Sequence, residues 1–165
     1  MATPSAAAGN AGLASRPSLT LKRRIDASCE KVFAAWTDPE KIARWFGPAQ
    51  VKAGSVNADI DLRVGGRYRI SFEGGDGEYF QVDGVYREVV PNARIAFSWA
   101  WHSTPERESQ VTVSLQPDGS GTLLTLHHAQ FFDEAARDGH GRGWNALLDK
   151  LENYLAWPGR MAATS

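Results

Sequence analysis

The sequence has little cysteine, no excess of charge of either sign and no long apolar run. Its single cysteine, Cys29, has no partner for an internal disulfide, which fits a reducing compartment and predicts a cytoplasmic protein. No apolar stretch approaches the roughly 20 residues that a membrane-spanning helix requires. A formal net charge of −1 offers no basic surface to nucleic acid or to an anionic membrane. We therefore expect neither nucleic-acid binding nor a membrane span.

The short motifs of metal, nucleotide and nucleophilic sites are also missing. The four histidines, His102, His127, His128 and His140, do not have the spacing of zinc ligands, so no metal is expected. The glycines within residues 139–143 have no strand before them, as a nucleotide-binding loop requires, and are expected to loosen the start of the following helix. None of the fingerprints of nucleotide-binding proteins or of hydrolases occurs. The sequence therefore predicts no cofactor.

The composition is that of one domain, with 42% hydrophobic and 22% charged residues in a chain of 165. Such a balance is typical of a single soluble domain with a sizeable core. Residues 1–18 are mostly small and polar and are predicted to form a flexible leader, and residues 158–165 a flexible tail. The predicted single domain is therefore 19–157.

Two short helices are predicted directly after a short first strand. Ser28 is a suitable N-terminal cap for the first helix, and Asp38 followed by Pro39 begins the second, within DPEKIARWFGP. Gly47 and Pro48 then end it. Because the second helix has only about two turns, it is expected to depend on docking its apolar side chains against the rest of the domain.

From residue 51 onward apolar residues alternate with polar ones, which is the pattern of half-buried β-strands. Turn segments such as GGDG and PDGSG separate these strands. The long strand Tyr79–Val90 is predicted to contain a bulge or bend at Asp83-Gly84. The chain closes with GWNALLDKLENYLAW, whose apolar residues recur at helical spacing and predict a long amphipathic helix.

These elements predict an α+β helix-grip fold, in which a curved antiparallel sheet of about seven strands wraps on a long C-terminal helix and two short helices follow the first strand. The inward-facing aromatic residues are too large to close-pack between a thin sheet and one helix, so a cavity is expected there. The second short helix is expected to lie across its mouth, walled by Trp45 and Phe46. The candidate ligand-binding residues are Trp45, Phe46, Tyr68, Phe72, Tyr79, Phe97, Trp99, Trp101, His128, His140 and Trp144.

Two of the histidines are expected to face the cavity. His128 shares the inward phase of its strand with Leu124 and Leu126, and His140 lies four residues before Trp144. We expect hydrogen-bonded cavity histidines at these positions. If the protein is an enzyme, His128 is the catalytic candidate, as an acid–base group.

Five segments follow one another along the chain: DPEKIARWFGP, DLRVGGRYRISF, GVYREVVPNARIAFSW, GTLLTLHHAQF and GWNALLDKLENYL. In this order they resemble the activator of heat-shock-protein ATPase homologue family, within the START-like, birch-allergen-like (SRPBCC) superfamily, over Leu19 to Trp157. The resemblance implies a helix-grip fold with a deep apolar cavity. Relatives in the superfamily include co-chaperone domains, lipid and hormone binders and aromatase/cyclases, so the function has to be argued from the site.

The sequence favours binding of a small hydrophobic molecule, lipid-like or aromatic and polyketide-like, in the cavity. The first alternative is an aromatase/cyclase-like enzyme on a hydrophobic substrate, with His128 or a tyrosine as acid–base group. The second is a co-chaperone-like protein-interaction domain, in which an apolar strip would lie outside the cavity. The chain has no room for the second domain of the eukaryotic co-chaperone, which weighs against a chaperone partner. A homodimer is left open.

Overall fold

The computed structural model describes residues 16–164, with side chains as far as residue 156. Over these residues the chain forms a curved seven-stranded antiparallel sheet and three helices. In chain order they are β1 (Leu19–Ile25), α1 (Cys29–Thr37), α2 (Pro39–Trp45), β2 (Asn57–Ile60), β3 (Arg67–Glu73), β4 (Tyr79–Val90), β5 (Arg94–Trp101), β6 (Ser109–Asp118), β7 (Gly121–Ala129) and α3 (Glu134–Thr164). The strands lie in the order β1-β7-β6-β5-β4-β3-β2. The predicted α+β helix-grip fold is confirmed.

The two short helices begin and end where the sequence predicts. The Ser28 side chain accepts a hydrogen bond from Lys31 N at 3.2 Å, and the Asp38 side chain accepts one from Glu40 N at 2.9 Å. These caps satisfy backbone N–H groups that have no partner within the first turn of a helix. Gly47 then adopts a φ of 102°, which glycine reaches without the strain that a Cβ would impose. The α1–α2 corner is therefore specified locally.

The irregularity in β4 lies in a different place from the one predicted. The register shifts between Tyr86 and Glu88, so the bulge lies there and a bulge at Asp83-Gly84 is not found; a bend at that position is not tested by the register. The presence of glycine at position 84 is explained by close packing of the two strands. A Cβ at Gly84 would lie 1.9 Å from Ser98 O, so β5 approaches the β4 backbone too closely for any side chain there.

The long helix begins earlier than the sequence predicts. It starts at Glu134, so His140 lies inside the helix and not before it, and the glycines of residues 139–143 do not delay its start. Asp133 caps it, because its Oδ1 accepts a hydrogen bond from Ala136 N at 2.8 Å. Each glycine in a helix interior costs about 1 kcal/mol relative to alanine, which is why local propensity places the start too late. Contacts made by the whole helix override that local preference.

The predicted leader lies largely outside the described residues, whereas most of the predicted tail is described in its backbone alone. Residues 1–15 of the predicted leader 1–18 are not described. The backbone of α3 is helical to Thr164, through most of the predicted tail 158–165, although no side chain beyond residue 156 is described. Among the described helices, none is both long enough and apolar enough to cross a membrane.

The main hydrophobic core lies between the sheet and the second half of the described part of α3. Leu148 and Leu151 of α3 are fully buried, in one cluster with Leu124 and Leu126 of β7. Burying a leucine side chain contributes about 1.5–3 kcal/mol, so these layers hold the helix on the sheet. The first half of α3 presents smaller side chains to the sheet and leaves a space between helix and sheet.

Candidate functional site

A cavity of about 660 Å³ lies between the sheet and the first half of α3. Its walls come from the loop after α2, from β3 to β6, from the loop before β6 and from α3 with the residues that precede it. The lining residues are Phe46, Gly47, Pro48, Ala49, Phe72, Phe80, Trp99, Trp101, Ser103, Thr104, Arg107, Ser109, Phe131, Phe132, Ala135, Ala136, Gly139, His140, Gly143, Trp144, Ala146 and Leu147. This volume is within the roughly 300–1,000 Å³ of typical small-molecule sites.

The space exists because the helix presents small residues to it. The cavity-lining positions of α3 recur at three- and four-residue intervals, which places them on one face of the helix. Several of them lack a bulky side chain: Ala135, Ala136, Gly139, Gly143 and Ala146. One turn further along, leucines occupy the face that meets the sheet, and there the core is filled. The glycines that mislead a propensity-based prediction are therefore part of the cavity wall.

Aromatic rings form the opposite wall. Phe72 stacks on Phe80 with ring centroids 5.3 Å apart, and Trp101 meets both rings edge-on at 6.3 Å. Trp99 and Trp101 are also perpendicular, with centroids 5.5 Å apart. Such interlocked edge-to-face pairs hold large side chains in place at modest entropic cost. The wall is thus formed by interlocked rings and is mostly apolar.

The loop at one side of the cavity is tied to α3 by a lysine. Lys150 Nζ donates hydrogen bonds to Gly47 O at 3.0 Å and to Pro48 O at 3.3 Å. Partial burial lowers the pKa of Lys150, because desolvation disfavours its charged form. The backbone carbonyls compensate by accepting from the ammonium group. This contact fixes the lining residues of the loop against the helix.

His140 lies at the centre of a hydrogen-bond network on the cavity wall. Its Nδ1 lies 2.8 Å from Ala136 O, and its Nε2 accepts from Trp101 Nε1 at 3.0 Å and from Trp99 Nε1 at 3.4 Å. A carbonyl only accepts and an indole N–H only donates, so Nδ1 carries the proton and Nε2 does not. Burial lowers the pKa of His140, which favours this neutral form.

His128 is fully buried behind the wall and has the opposite tautomer. Its Nδ1 accepts a hydrogen bond from Trp144 Nε1 at 2.9 Å, and its Nε2 lies 2.7 Å from Ser109 Oγ. Because the indole only donates, Nε2 carries the proton and donates to the serine. Desolvation, followed by the neighbouring His140 and His127, lowers the pKa of His128. The two inward histidines are thus neutral, with both ring nitrogens engaged.

The cavity rim carries one cation and no carboxylate among the described lining residues. Arg107 is exposed, and its guanidinium carbon lies 4.0 Å from the ring centroid of Phe132. It forms no ion pair with any described carboxylate. Within the described part of the chain, no cluster of three metal-ligating side chains occurs. The site therefore offers an apolar interior with a few directed polar groups and one positive charge at its edge.

A second, much smaller space of about 20 Å³ lies on the other side of Phe46, Trp99 and Trp144, which border both spaces. It has room for about one water molecule. Trp36 also borders it, and its Nε1 has no hydrogen-bond partner among the described residues. Tyr68 lies here as well, with its hydroxyl donating to Ser98 O at 2.6 Å.

The structure brings several of the predicted ligand-binding residues together around the large cavity: Phe46, Phe72, Trp99, Trp101, His140 and Trp144. Tyr68 and Phe97 border the small space instead. His128 does not line the large cavity, but it is one hydrogen bond away from it through Ser109. Burial raises the pKa of Tyr68 well above its ordinary value, so its phenol stays protonated.

Two predicted residues lie elsewhere. Trp45 is fully buried in the α1–α2 corner, where its Nε1 donates to Ala35 O at 2.9 Å, so its predicted position at the cavity mouth is wrong. Phe46 is the first residue after the helix and has an extended backbone (φ −74°, ψ 154°), so its side chain leaves the direction of Trp45 and reaches the cavity. Tyr79 is 59% exposed, and its hydroxyl donates to Gln81 Oε1 at 2.9 Å.

Other lining residues were not predicted. Phe80 follows Tyr79 and points to the other face of the strand, and only the β3–β4 register decides which of the two faces inward. Ser109 has a usable sequence signal, because it shares the inward phase with Val111 and Val113 and is a polar residue on a buried face. Phe131 and Arg107 lie in loops, where periodicity carries no information.

Comparison with known proteins places the chain in a recognised group. The family model described as Activator of Hsp90 ATPase homolog 1-like protein matches residues 26–156. None of the curated proteins matches the chain.

Among solved structures, CalU16 from Micromonospora echinospora is 31% identical, with a TM-score of 0.63 over 88% of this chain and 79% of that one. A protein from Rhizobium leguminosarum is 30% identical, with a TM-score of 0.70 over 84% of this chain and 93% of that one. The AHSA1-like protein from Aeromonas hydrophila is 23% identical, with a TM-score of 0.74 over 87% and 94%, and supports the fold alone.

Proposed function

Since the chain belongs to the family of Activator of Hsp90 ATPase homolog 1-like proteins and leaves a space between its sheet and α3, we propose that it binds a small hydrophobic molecule, lipid-like or aromatic, in that space. The observation that carries the proposal is the cavity of about 660 Å³ with its aromatic wall and small-residue helix face. Filling such a space with an apolar molecule removes apolar surface from water, which is favourable at roughly 25 cal/mol per Å².

An acid–base enzyme is supported less well. A general base needs an unshared nitrogen that can receive the substrate's proton. At His128 the Nδ1 lone pair accepts from Trp144, and at His140 the Nε2 lone pair accepts from Trp101 and Trp99. Both rings would have to break an existing hydrogen bond before acting. Binding uses the same residues without that rearrangement.

A protein-interaction role, suggested by the family's description, has no specific support of its own among the described residues. The exposed large apolar side chains include Leu62 and Val64 in the β2–β3 loop and Val90 at the end of β4. Phe132, which is also exposed, belongs to the rim of the cavity. The cavity is thus the feature that best supports a function.

The test uses 2-isopropylnaphthalene, an apolar probe without a hydrogen-bonding group, and one substitution that narrows the cavity. Gly143 lies at the centre of the lining face of α3, and a Cβ added there meets no atom within 4 Å. Gly143→Leu is expected to weaken probe binding. It should not lower stability, because leucine is a better helix former than glycine by about 0.8 kcal/mol.

Gly143→Ala is the matched control, since it makes a similar change in helix propensity and leaves the space open. Wild type and Gly143→Ala are expected to bind the probe saturably, and to gain about 2.7 kcal/mol of stability at a free concentration 100 times Kd. Native mass spectrometry and thermal unfolding measure both effects. Equal binding by Gly143→Leu, or no binding by the wild type, would overturn the proposal.

A further inference from the structure

A chain of three side chains connects the long helix to the cavity wall. Trp144 Nε1 donates to His128 Nδ1 at 2.9 Å, and His128 Nε2 lies 2.7 Å from Ser109 Oγ. Ser109 is 4% exposed and lines the cavity. The other described serine and threonine of the lining, Ser103 and Thr104, are more exposed to solvent. Ser109 is therefore the hydroxyl held on the inner wall.

The direction of this chain follows from its chemistry. The indole can only donate, so His128 Nδ1 accepts, its Nε2 carries the proton, and Ser109 Oγ is an acceptor toward the ring. The hydroxyl proton of Ser109 is therefore available for donation to an acceptor other than His128. Within the protein its acceptor is Trp99 O at 3.3 Å. That distance is long for an O–H···O bond, which is usually about 2.7–2.8 Å.

We propose that Ser109 donates its hydroxyl proton to an acceptor oxygen of the bound ligand, so that the cavity selects hydrophobic molecules that carry a carbonyl or comparable acceptor group. The proposal rests on the proposed function and specifies the chemistry of its ligand. A donor with a weak internal acceptor loses little when it turns to a ligand. Because Ser109 itself is buried, that hydrogen bond counts for more than one at the surface.

The direction of the hydrogen bonds from Trp144 to His128 and on to Ser109 argues against covalent attack by Ser109. A serine nucleophile needs a histidine nitrogen that receives its proton, with the other ring nitrogen donating to a carboxylate or a similar acceptor. Here the donor and acceptor roles are reversed, because Trp144 donates to His128 Nδ1. With this direction Ser109 keeps its own proton, which it can donate to a ligand as a hydrogen bond.

Two probes of nearly equal size test the proposal. 2-Acetylnaphthalene has a ketone oxygen where 2-isopropylnaphthalene has a methyl group, and NMR titration gives Kd for each. Ser109→Ala is expected to lower the ketone-to-hydrocarbon affinity ratio about 3- to 10-fold, the usual contribution of one hydrogen bond. Affinity for the hydrocarbon should change less than about 2-fold. Ser109→Thr, which keeps a hydroxyl, is expected to restore the ratio.

Ser114→Ala is the matched control, because it removes a hydroxyl from the outer face of the same strand, away from the cavity lining. It should leave the ratio unchanged. Ser109→Ala also leaves the buried His128 Nε2–H without its partner, so thermal unfolding is recorded for every variant. If Ser109→Ala does not fold, infrared spectroscopy of wild-type protein with bound 2-acetylnaphthalene decides, since a hydrogen bond lowers the carbonyl stretching frequency.

The outcomes separate this inference from the proposed function. A lowered ratio in Ser109→Ala alone, or a carbonyl stretch below its value in hexane, supports the inference. Saturable binding of both probes with an unchanged ratio in Ser109→Ala, or a carbonyl stretch equal to that in hexane, overturns the inference and leaves the binding function standing. If the wild type binds neither probe, the proposed function itself is overturned.

Discussion

Trp45 and Phe46 are neighbours in the chain and have different tasks. Trp45 has no exposed surface, donates to Ala35 O and meets the Trp36 ring edge-on at 4.9 Å. Phe46, the first residue after α2, lines the cavity. At the residue scale, the aromatic pair that ends this short helix therefore serves both as core and as cavity wall.

This difference predicts opposite effects of two alanine substitutions. Trp45→Ala is expected to destabilise the protein by about 3–5 kcal/mol, the usual cost of a large aromatic lost from a core, and to leave the release rate of 2-isopropylnaphthalene unchanged. Phe46→Ala also costs stability but removes part of the wall, so release should become faster. Urea denaturation and stopped-flow displacement measure the two quantities. Faster release from Trp45→Ala with no change in Phe46→Ala would reverse the assignment.

At the scale of elements, α3 combines two different halves. Its first half carries the small residues that leave the cavity, and further along its buried leucines bind it to the sheet. The start of the helix has few bulky contacts, so its cap matters more than usual. Asp133 supplies that cap through Oδ1 and Ala136 N, and the first turn it stabilises contains the lining residues Ala135 and Ala136.

Loss of the cap should therefore affect both stability and binding. Asp133→Ala is expected to cost about 1 kcal/mol and to weaken binding of 2-isopropylnaphthalene, because the first turn of α3 frays and one wall of the site loses its order. Asp133→Asn keeps a capping oxygen and should resemble the wild type in both respects. Denaturant titration and NMR titration provide the comparison. Equal probe affinity in all three proteins would show that the first turn is not needed for the site.

At the scale of the whole molecule, buried neutral histidines link stability to pH. Burial lowers the pKa of His128 and of His140 in the folded protein, while an unfolded histidine titrates near about 6.5. Below that pH the unfolded chain binds more protons than the folded one, so stability falls as the pH falls. Above it both states are neutral at these groups, and their contribution is complete.

We expect the free energy of unfolding to decrease between about pH 7 and pH 5.5, with a slope approaching about 1.4 kcal/mol per pH unit for His128 and a smaller one for the partly exposed His140. Urea denaturation at several pH values measures the slope. His140→Gln, which keeps an acceptor for the indoles but does not titrate, should reduce it. If the free energy of unfolding stays constant or increases as the pH is lowered over this interval, the neutral assignment of both rings is contradicted.

The sequence alone determines the elements and the fold class of this protein. Ser28, Asp38 and Gly47 mark helix ends through contacts with residues nearby in the chain, and the alternation of apolar residues specifies strands in the same local way. Their order then permits few arrangements other than a sheet that wraps on a long helix. The cavity and much of its aromatic wall follow from the sizes of residues that such a fold brings together.

Only the tertiary structure decides where the site opens and how its polar groups point. The choice between Trp45 and Phe46 depends on how α2 is rotated against α1, and the early start of α3 depends on contacts that outweigh its glycines. The chain from Trp144 through His128 to Ser109 joins a helix to two strands. Contacts between residues far apart in sequence leave no periodic signal, so their hydrogen-bond directions emerge only when the elements are in place.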